Sequence, residues 1–254
     1  MKYDPDRLFL VSNDDGIFSP GIRNLAEVAS QYGEVNIIAP DRQQSAVGHS
    51  ITVMDPLRVA RFEMSNSMVG HAVNGTPADC VKLAHDQLLD RQPTMILSGI
   101  NHGSNAGINI IYSGTVSAAT EGTVLGYPSI AVSCTDFQED ADLSGSREAV
   151  ERVIEYVLKH GLPKGVTLNL NVPPGPLKGL KWTRQGDSRY VEQYQRRIDP
   201  NDRPYYWITG RFEVLDQGED LDVNVLKQGL ASVTPIQYDL TSYKVFEEVK
   251  NREL

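Results

Sequence analysis

Cysteine is scarce in this chain: Cys80 and Cys134 are the only two in 254 residues. They lie far apart in sequence and in apolar surroundings. They read as small buried residues, which excludes a disulfide framework and a paired-cysteine metal centre. Long apolar runs are also missing. No stretch approaches the roughly 20 residues that span a bilayer. Met1–Arg7 lacks the apolar core of a signal peptide. No membrane association and a cytoplasmic location are therefore expected. Basic residues are outnumbered, with 24 Lys and Arg against 33 Asp and Glu and a formal charge of −9. That balance argues against binding to nucleic-acid polymers. It leaves small phosphorylated ligands open, because a bound cation reverses the local field. Internal repeats and low-complexity segments are absent. What is present, 40% hydrophobic and 22% charged residues, suits one large globular domain or one domain with an appendage.

The chain is organised around Leu8-Phe9-Leu10-Val11-Ser12-Asn13-Asp14-Asp15-Gly16. An apolar run that stops at an amide, two carboxylates and a glycine reads as a buried strand ending in a loop. Ligands of parallel α/β sheets collect at such strand ends. Paired carboxylates there call for a partner, and a hard divalent cation such as Mg²⁺ or Mn²⁺ takes oxygen ligands. A plain Asp-Gly turn is the alternative. Pro20 and Gly21 open a helix with Ile22, Leu25, Ala26, Val28 and Ala29 on its buried face, and Gly33 is expected to end it. Val35–Ala39 is the second strand. This strand-helix-strand order is the unit of a parallel sheet.

Further polar segments follow predicted strands. In Asp41–Ser50, Ser45 and Ser50 can offer hydroxyl oxygens to a metal or phosphate, or form a solvated turn. Ile51–Val53, Leu57–Val59 and Met68–Val73 look like short strands. Asn74-Gly75-Thr76-Pro77-Ala78-Asp79 reads as a helix entrance, with Thr76 as N-cap and Pro77 at the first helical position. Only Asn74 and Gly75 there are expected to face a ligand. Thr94–Ser98 is another buried strand, and it runs into Gly99-Ile100-Asn101-His102-Gly103-Ser104-Asn105. In Tyr112-Ser113-Gly114-Thr115 a helix begins, and free N–H groups and the dipole make such a start an anion site. The hydroxyls of Ser113 and Thr115 add donors, or simply cap the helix. Pro128–Ser133 is a strand, 146–158 an amphipathic helix and Val166–Asn171 the last core strand.

Beyond Pro174 the pattern changes. Gly179–Arg184 and Tyr190–Tyr194 alternate as antiparallel strands do, and Tyr205–Ile208 is an aromatic strand. A hairpin with exposed aromatics is marginal alone and needs another surface. It is read as an oligomerisation arm, with folding back onto its own domain as the alternative. Residues 230–236 read as a strand and 241–250 as a terminal helix. The expected fold is α/β: a Rossmann-like three-layer parallel-sheet core over 1–174. A C-terminal β-hairpin arm and helix over 175–254 are not an independent domain.

Taken in order, Ser12–Gly16, Ala39–Ser45, Asn74–Cys80, Ser98–Asn105 and Tyr112–Val116 resemble the motifs of the SurE family of survival proteins, which are metal-dependent nucleotidases. The segments Asp199-Pro200, Tyr205–Trp207, Thr234–Ile236 and Asp239–Thr241 are similar too, so the resemblance covers nearly the whole chain. It implies that Asp14, Asp15, Ser45 and Asn101 hold one divalent metal per subunit. It implies hydrolysis of nucleoside 5′- and 3′-monophosphates, in some members also of short polyphosphate, and a homodimer or homotetramer built through an extended arm. One departure is Asn201-Asp202-Arg203-Pro204, where the family pattern has a glycine-containing turn; this bears on the shape of the arm.

The expected chemistry is in-line attack of water on a phosphomonoester, which needs positioning and charge stabilisation. Asn74, Asn105 and the start at Ser113-Gly114-Thr115 would bind the substrate phosphate. Asp14, Asp15 and Asn105 are the catalytic candidates, with one carboxylate as base or a metal-bound water in that role, and His102 as a candidate acid. The alternatives are an aspartyl-phosphate phosphatase, which adjacent Asp-Asp without an Asp-x-Asp spacing argues against, and a nucleotide-binding assembly protein without turnover.

Overall fold

The computed structural model describes residues 2–63 and 68–253. Met1, part of the N-terminal reading, lies outside them. The first strands are β1 (Leu8–Ser12), β2 (Glu34–Pro40), β3 (Val59–Glu63), β4 (Val69–Val73), β5 (Met95–His102), β6 (Ser129–Cys134) and β7 (Val166–Val172). All run parallel except β3, which pairs antiparallel with β4. Between them lie helices α1 (Pro20–Ala29), α2 (Pro77–Leu83), α3 (Gly114–Val124) and α4 (Ser144–His160). The chain is thus mixed α/β around a large, mostly parallel central sheet.

Side-chain alternation along β1 builds the layers, because successive residues point to opposite faces. Phe9 and Val11 pack with Ile22 and Leu25 of α1 and with Val150 and Ile154 of α4. Leu10 packs the other way, with Cys80 and Val81 of α2 and Ala118 of α3. Every residue of β1 is buried. Each such Leu, Ile or Phe contributes about 2 kcal/mol of transfer free energy. β1 pairs with β2 on one side and β5 on the other. From β1 the sheet grows outward through β2 and β4, and from β5 through β6 and β7. The strand order therefore reverses between β1 and β5, and a crevice opens at their carboxyl ends.

The later chain adds β8 (Leu180–Trp182), β9 (Ser188–Ile198), β10 (Pro204–Val214), α5 (Asp222–Lys227), β11 (Ala231–Gln237) and α6 (Tyr243–Val249). β9 and β10 form a separate two-stranded antiparallel hairpin, in register from Ser188 opposite Val214 to Ile198 opposite Pro204. Its turn lacks glycine, and Asp202 takes the left-handed conformation at φ 58°, which Asp tolerates better than most residues. Asp199 Oδ1 accepts from the N–H groups of Asn201 and Arg203, which closes that turn. β11 returns to the large sheet, antiparallel to β7.

Several local expectations change. Leu180–Trp182 joins the large sheet parallel to β11 instead of the antiparallel hairpin. Alternation marks a strand but not its partner. Ile51–Val53 is not a strand, because the Thr52 N–H and Oγ1 both donate to the Asp79 carboxylate, at 3.0 and 2.6 Å. Helix α1 stops at Ala29 with Ser30 as its C-cap. Gly33 instead lets the following turn close on β1, since a Cβ there would stand 2.6 Å from the Arg7 carbonyl oxygen.

Asp222 ties the later chain to the core. It is fully buried. Its carboxylate accepts from the N–H groups of Gly107, Gly186 and Val223 at 2.8, 2.9 and 2.7 Å. Asp222→Ala leaves those donors buried without an acceptor. The expected cost is about 3 kcal/mol, read as a lowered midpoint in urea unfolding.

Candidate functional site

The site is built at the end of β1, where the chain leaves strand geometry. Gly16 adopts φ 93°. A Cβ there would approach the Arg42 carbonyl carbon at 3.2 Å. The Asn13 amide nitrogen donates to Gly16 O at 3.0 Å and to Ser19 Oγ at 2.8 Å. Ser19 in turn caps α1. This brace fixes the intervening carboxylates. Asp14 is buried, and the Thr115 hydroxyl donates to its Oδ1. Asp15 is half-buried, and its Oδ2 accepts from the His102 backbone N–H at 3.3 Å while its Oδ1 accepts from Gln43 Nε2 at 3.3 Å.

The other predicted ligands come from neighbouring strand ends. The Gln44 N–H donates to the Asp14 carbonyl at 2.7 Å, which brings Ser45, the next residue, beside β1. Ser45 is exposed, and Ala46 after it takes a left-handed φ of 55°. For a residue with a Cβ this costs about 1 kcal/mol or more. Asn101 is delivered by an irregularity in β5, whose pairing with β6 shifts register between Ser98 and Asn101. Gly99 permits this: at φ 133° a Cβ would stand 2.2 Å from the Val132 carbonyl oxygen. Asn101 Nδ2 donates to Gly103 O at 2.7 Å. With the nitrogen committed, Oδ1 is the end of the amide left to serve as a ligand.

Helix α3 points its N-terminus at Asp14. A Cβ on Gly114 would meet Asp14 Cβ at 2.7 Å and Pro77 Cγ at 3.1 Å. The starts of α2 and α3 therefore converge there. Ser113 is the N-cap, with Oγ accepting from the Val116 N–H at 3.0 Å. Both hydroxyls expected to face phosphate are thus engaged within the protein: Ser113 caps the helix and Thr115 orients Asp14. Asn105 is buried. Its Nδ2 donates to Ser133 Oγ at 2.8 Å, and its backbone is held by Asn169 and Asn171 of β7. Asn74 makes its side-chain hydrogen bonds outside this cluster. Its Oδ1 accepts from the Arg58 N–H at 2.6 Å, and it lines a polar cleft of about 440 Å³ with Arg42, Arg58 and Asp55. Asp15 and His102 instead line a second cleft of about 330 Å³. Both ring nitrogens of His102 are shielded and lack a hydrogen-bond partner among the described residues.

The charge arrangement is unbalanced. Among the described residues neither Asp14 nor Asp15 has a salt-bridge partner. Burial pushes the Asp14 carboxyl up to about 6, with the Thr115 hydrogen bond opposing and the Asp15 charge adding. Burial also raises Asp15. Unpaired carboxylates out of water are costly, and a cation among them removes that penalty. No cluster of His, Cys, Asp and Glu of metal-binding size occurs among the described residues. Two carboxylates completed by an amide and a hydroxyl form a different, all-oxygen set. That set suits a hard cation.

Comparison with known proteins identifies the family. The family model "Survival protein SurE" matches residues 9–192. The chain belongs to the SurE family. The 5′-nucleotidase SurE of Cytophaga hutchinsonii is 46% identical over 250 residues, covering 97% of this chain and 96% of that one. The 5′-nucleotidase SurE of Syntrophobacter fumaroxidans is 47% identical over 241 residues, covering 94% and 96%. The crystal structure of the SurE protein from Aquifex aeolicus matches with TM-score 0.82 at 41% identity, covering 96% of this chain and 98% of that one.

The sequence reading missed how this SurE chain holds its site together. Gln43 and Gln44 brace the carboxylates, and Asp79 pins the segment at Thr52. Only the capping signature Thr76-x-x-Asp79 hinted at the last. Burial raises the Asp79 carboxyl, but hydrogen bonds from Thr52 and Thr76 outweigh it and hold it below the ordinary 3.8. A depressed folded pKa stabilises above the unfolded value and is lost as pH falls through the folded one. Asp79→Asn should therefore cost about 1–2 kcal/mol at neutral pH. The gap from wild type should close below about pH 4, as followed by urea unfolding across pH.

Proposed function

We propose that this chain is a divalent-metal-dependent 5′-nucleotidase that hydrolyses nucleoside monophosphates to nucleoside and phosphate. The observation that carries the reading is the pair of carboxylates at the end of β1 that have no salt-bridge partner among the described residues, with Asp14 directly under the N-terminus of α3. The names of the Cytophaga and Syntrophobacter relatives support the reaction class.

Asp14, Asp15, Asn101 Oδ1 and Ser45 would hold one Mg²⁺ or Mn²⁺. Such a cation, when bound, supplies Lewis-acid charge stabilisation to a phosphoryl oxygen. The chain's own groups do the rest. The Gly114 N–H at the start of α3, with the helix dipole behind it, would bind a non-bridging phosphate oxygen; the Val116 and Ser117 N–H groups are already taken by Ser113. Thr115 fixes the rotamer of Asp14, and Asn105 offers the second N–H of its amide. Asp14 or Asp15 accepts the proton of the attacking water. Nothing in this arrangement reads the position of the ester on the ribose, so 3′-monophosphates are included in the proposed substrate class.

A homo-oligomer built through the hairpin is part of the same proposal. Tyr194, Tyr206, Trp207 and Ile208 are all exposed on β9 and β10, and α6 leaves Tyr243, Val245 and Phe246 exposed. Aromatic surface of this kind is characteristic of interfaces. A cytoplasmic setting fits the free, buried Cys80 and Cys134.

Phosphate release from adenosine 5′-monophosphate should need added Mg²⁺ or Mn²⁺ and stop with chelator. Asp14→Asn should lower kcat/KM by about a hundredfold or more without loss of fold by circular dichroism. Full metal-dependent turnover in that variant would refute the site. In light scattering, the wild-type chain should run as a dimer or tetramer. Replacing Tyr194 and Trp207 by Asp should shift it toward monomer; a monomeric wild type would refute the arm.

A further inference from the structure

The cleft of about 330 Å³ beside Asp15 is lined by Phe18, His102, Phe137 and Glu139. Its aromatic walls are unusual for an acidic surface. Phe137 is 76% exposed and Phe18 60%. Single exposed apolar residues are ordinary on a surface, but these two line one cleft and both are held in place. The Phe137 ring lies on Gly103, where a Cβ would come within 2.3 Å of its Cε1. Gly103 N–H donates to Cys134 O at 2.8 Å and Asp136 O at 2.9 Å, which clasps the Phe137 loop onto the one that presents Asn101. Phe18 follows Gly16 in the braced turn and meets Phe62 edge to face, at 5.1 Å and 84°. The aromatic walls are therefore anchored to the same loops that carry Asp15 and Asn101.

We propose that this cleft is the nucleobase subsite, with Phe137 and Phe18 as its stacking residues. The inference rests on the hydrolase reading above and names the part of the substrate that the phosphate site does not hold. Two clefts open beside the loops that carry this site, one through Gln44 and the other through Asp15. The cleft of about 440 Å³ around Arg42, Arg58 and Asn74 has no aromatic wall. It is polar and suits an anion. Arg42 lines both clefts, but in the Phe-lined one Asp15, Asp41 and Glu139 outnumber it, and that negative balance disfavours anions and tolerates a neutral heterocycle. Stacking accepts every base, because each has a π-face. Purines, with the larger face, should be favoured over pyrimidines. Glu139 adds an acceptor at the rim for an exocyclic amine. Phe137 and Phe18 are specificity-determining residues in this scheme and take no part in bond breaking.

The test compares kcat/KM for adenosine 5′-monophosphate with that for ribose 5-phosphate, which has the same ester and no base. Phe137→Ala should lower the ratio of the two about tenfold, while Phe137→Trp keeps it. Phe18→Leu, which preserves bulk but not the ring, should lower it in the same direction and guards against a folding defect in the first variant. A ratio unchanged in both Phe137→Ala and Phe18→Leu overturns the proposal, as does an equal fall on both substrates. If wild type releases phosphate from neither compound with Mg²⁺ or Mn²⁺, the hydrolase reading fails on its own. Calorimetry with adenosine then decides the subsite: binding lost in Phe137→Ala supports it, and no binding to wild type overturns it.

Discussion

The hydrogen bonds from the Asn13 amide to Gly16 O and Ser19 Oγ set the turn on which the rest of the site depends. In a continued strand, Asp14 and Asp15 would project to opposite faces of the sheet. The brace ends the strand at Ser12 and turns the chain through Gly16. Asp14 is thereby presented to α3, and Asp15 to the end of β5. One polar side chain, at the boundary between a buried strand and a helix cap, thus links the core to the chemistry.

The fold supplies the setting for that turn. β1 lies where the strand order reverses, so segments from either side of it reach the same edge of the sheet. The segment after β2 brings Gln43, Gln44 and Ser45, and the end of β5 brings Asn101 and His102. Helix α3 is buried along nearly its whole length, which keeps its N-terminus aimed at Asp14. Farther away, Glu121 of α3 accepts from Lys82 at 3.0 Å and pairs with His49 at 2.8 Å. Those contacts hold α2 and the Ser45–Ser50 segment against α3. Rigid packing thus places negative side chains together that would otherwise repel one another.

Much of this was legible in the chain. Short apolar runs located β1, β2, β5, β6 and β7, with Asn, Pro or Gly marking the ends of several, and the Ser113 and Thr76 caps located the starts of α3 and α2. Partners were not legible. Leu180–Trp182 has the alternation of a hairpin strand but pairs parallel at the far edge of the large sheet. Thr52 looks like a strand residue, yet a distant carboxylate takes its hydrogen bonds. Ser113 and Thr115 are correctly placed at a helix start, but their hydroxyls serve a cap and Asp14. In each case local pattern is shared by several tertiary solutions, and long-range hydrogen bonding selects among them.

By itself the sequence determined the α/β class, the strand ends at which polar residues gather, and the family to which the chain belongs, because these depend on periodicity, turn chemistry and ordered motifs within short stretches. Only the tertiary structure decided which donor meets which acceptor. Asp14 meets Thr115 across 101 positions, Asp222 meets Gly107 across 115, and Phe137 settles on Gly103. Such contacts depend on how the layers pack, and packing is a property of the whole chain at once.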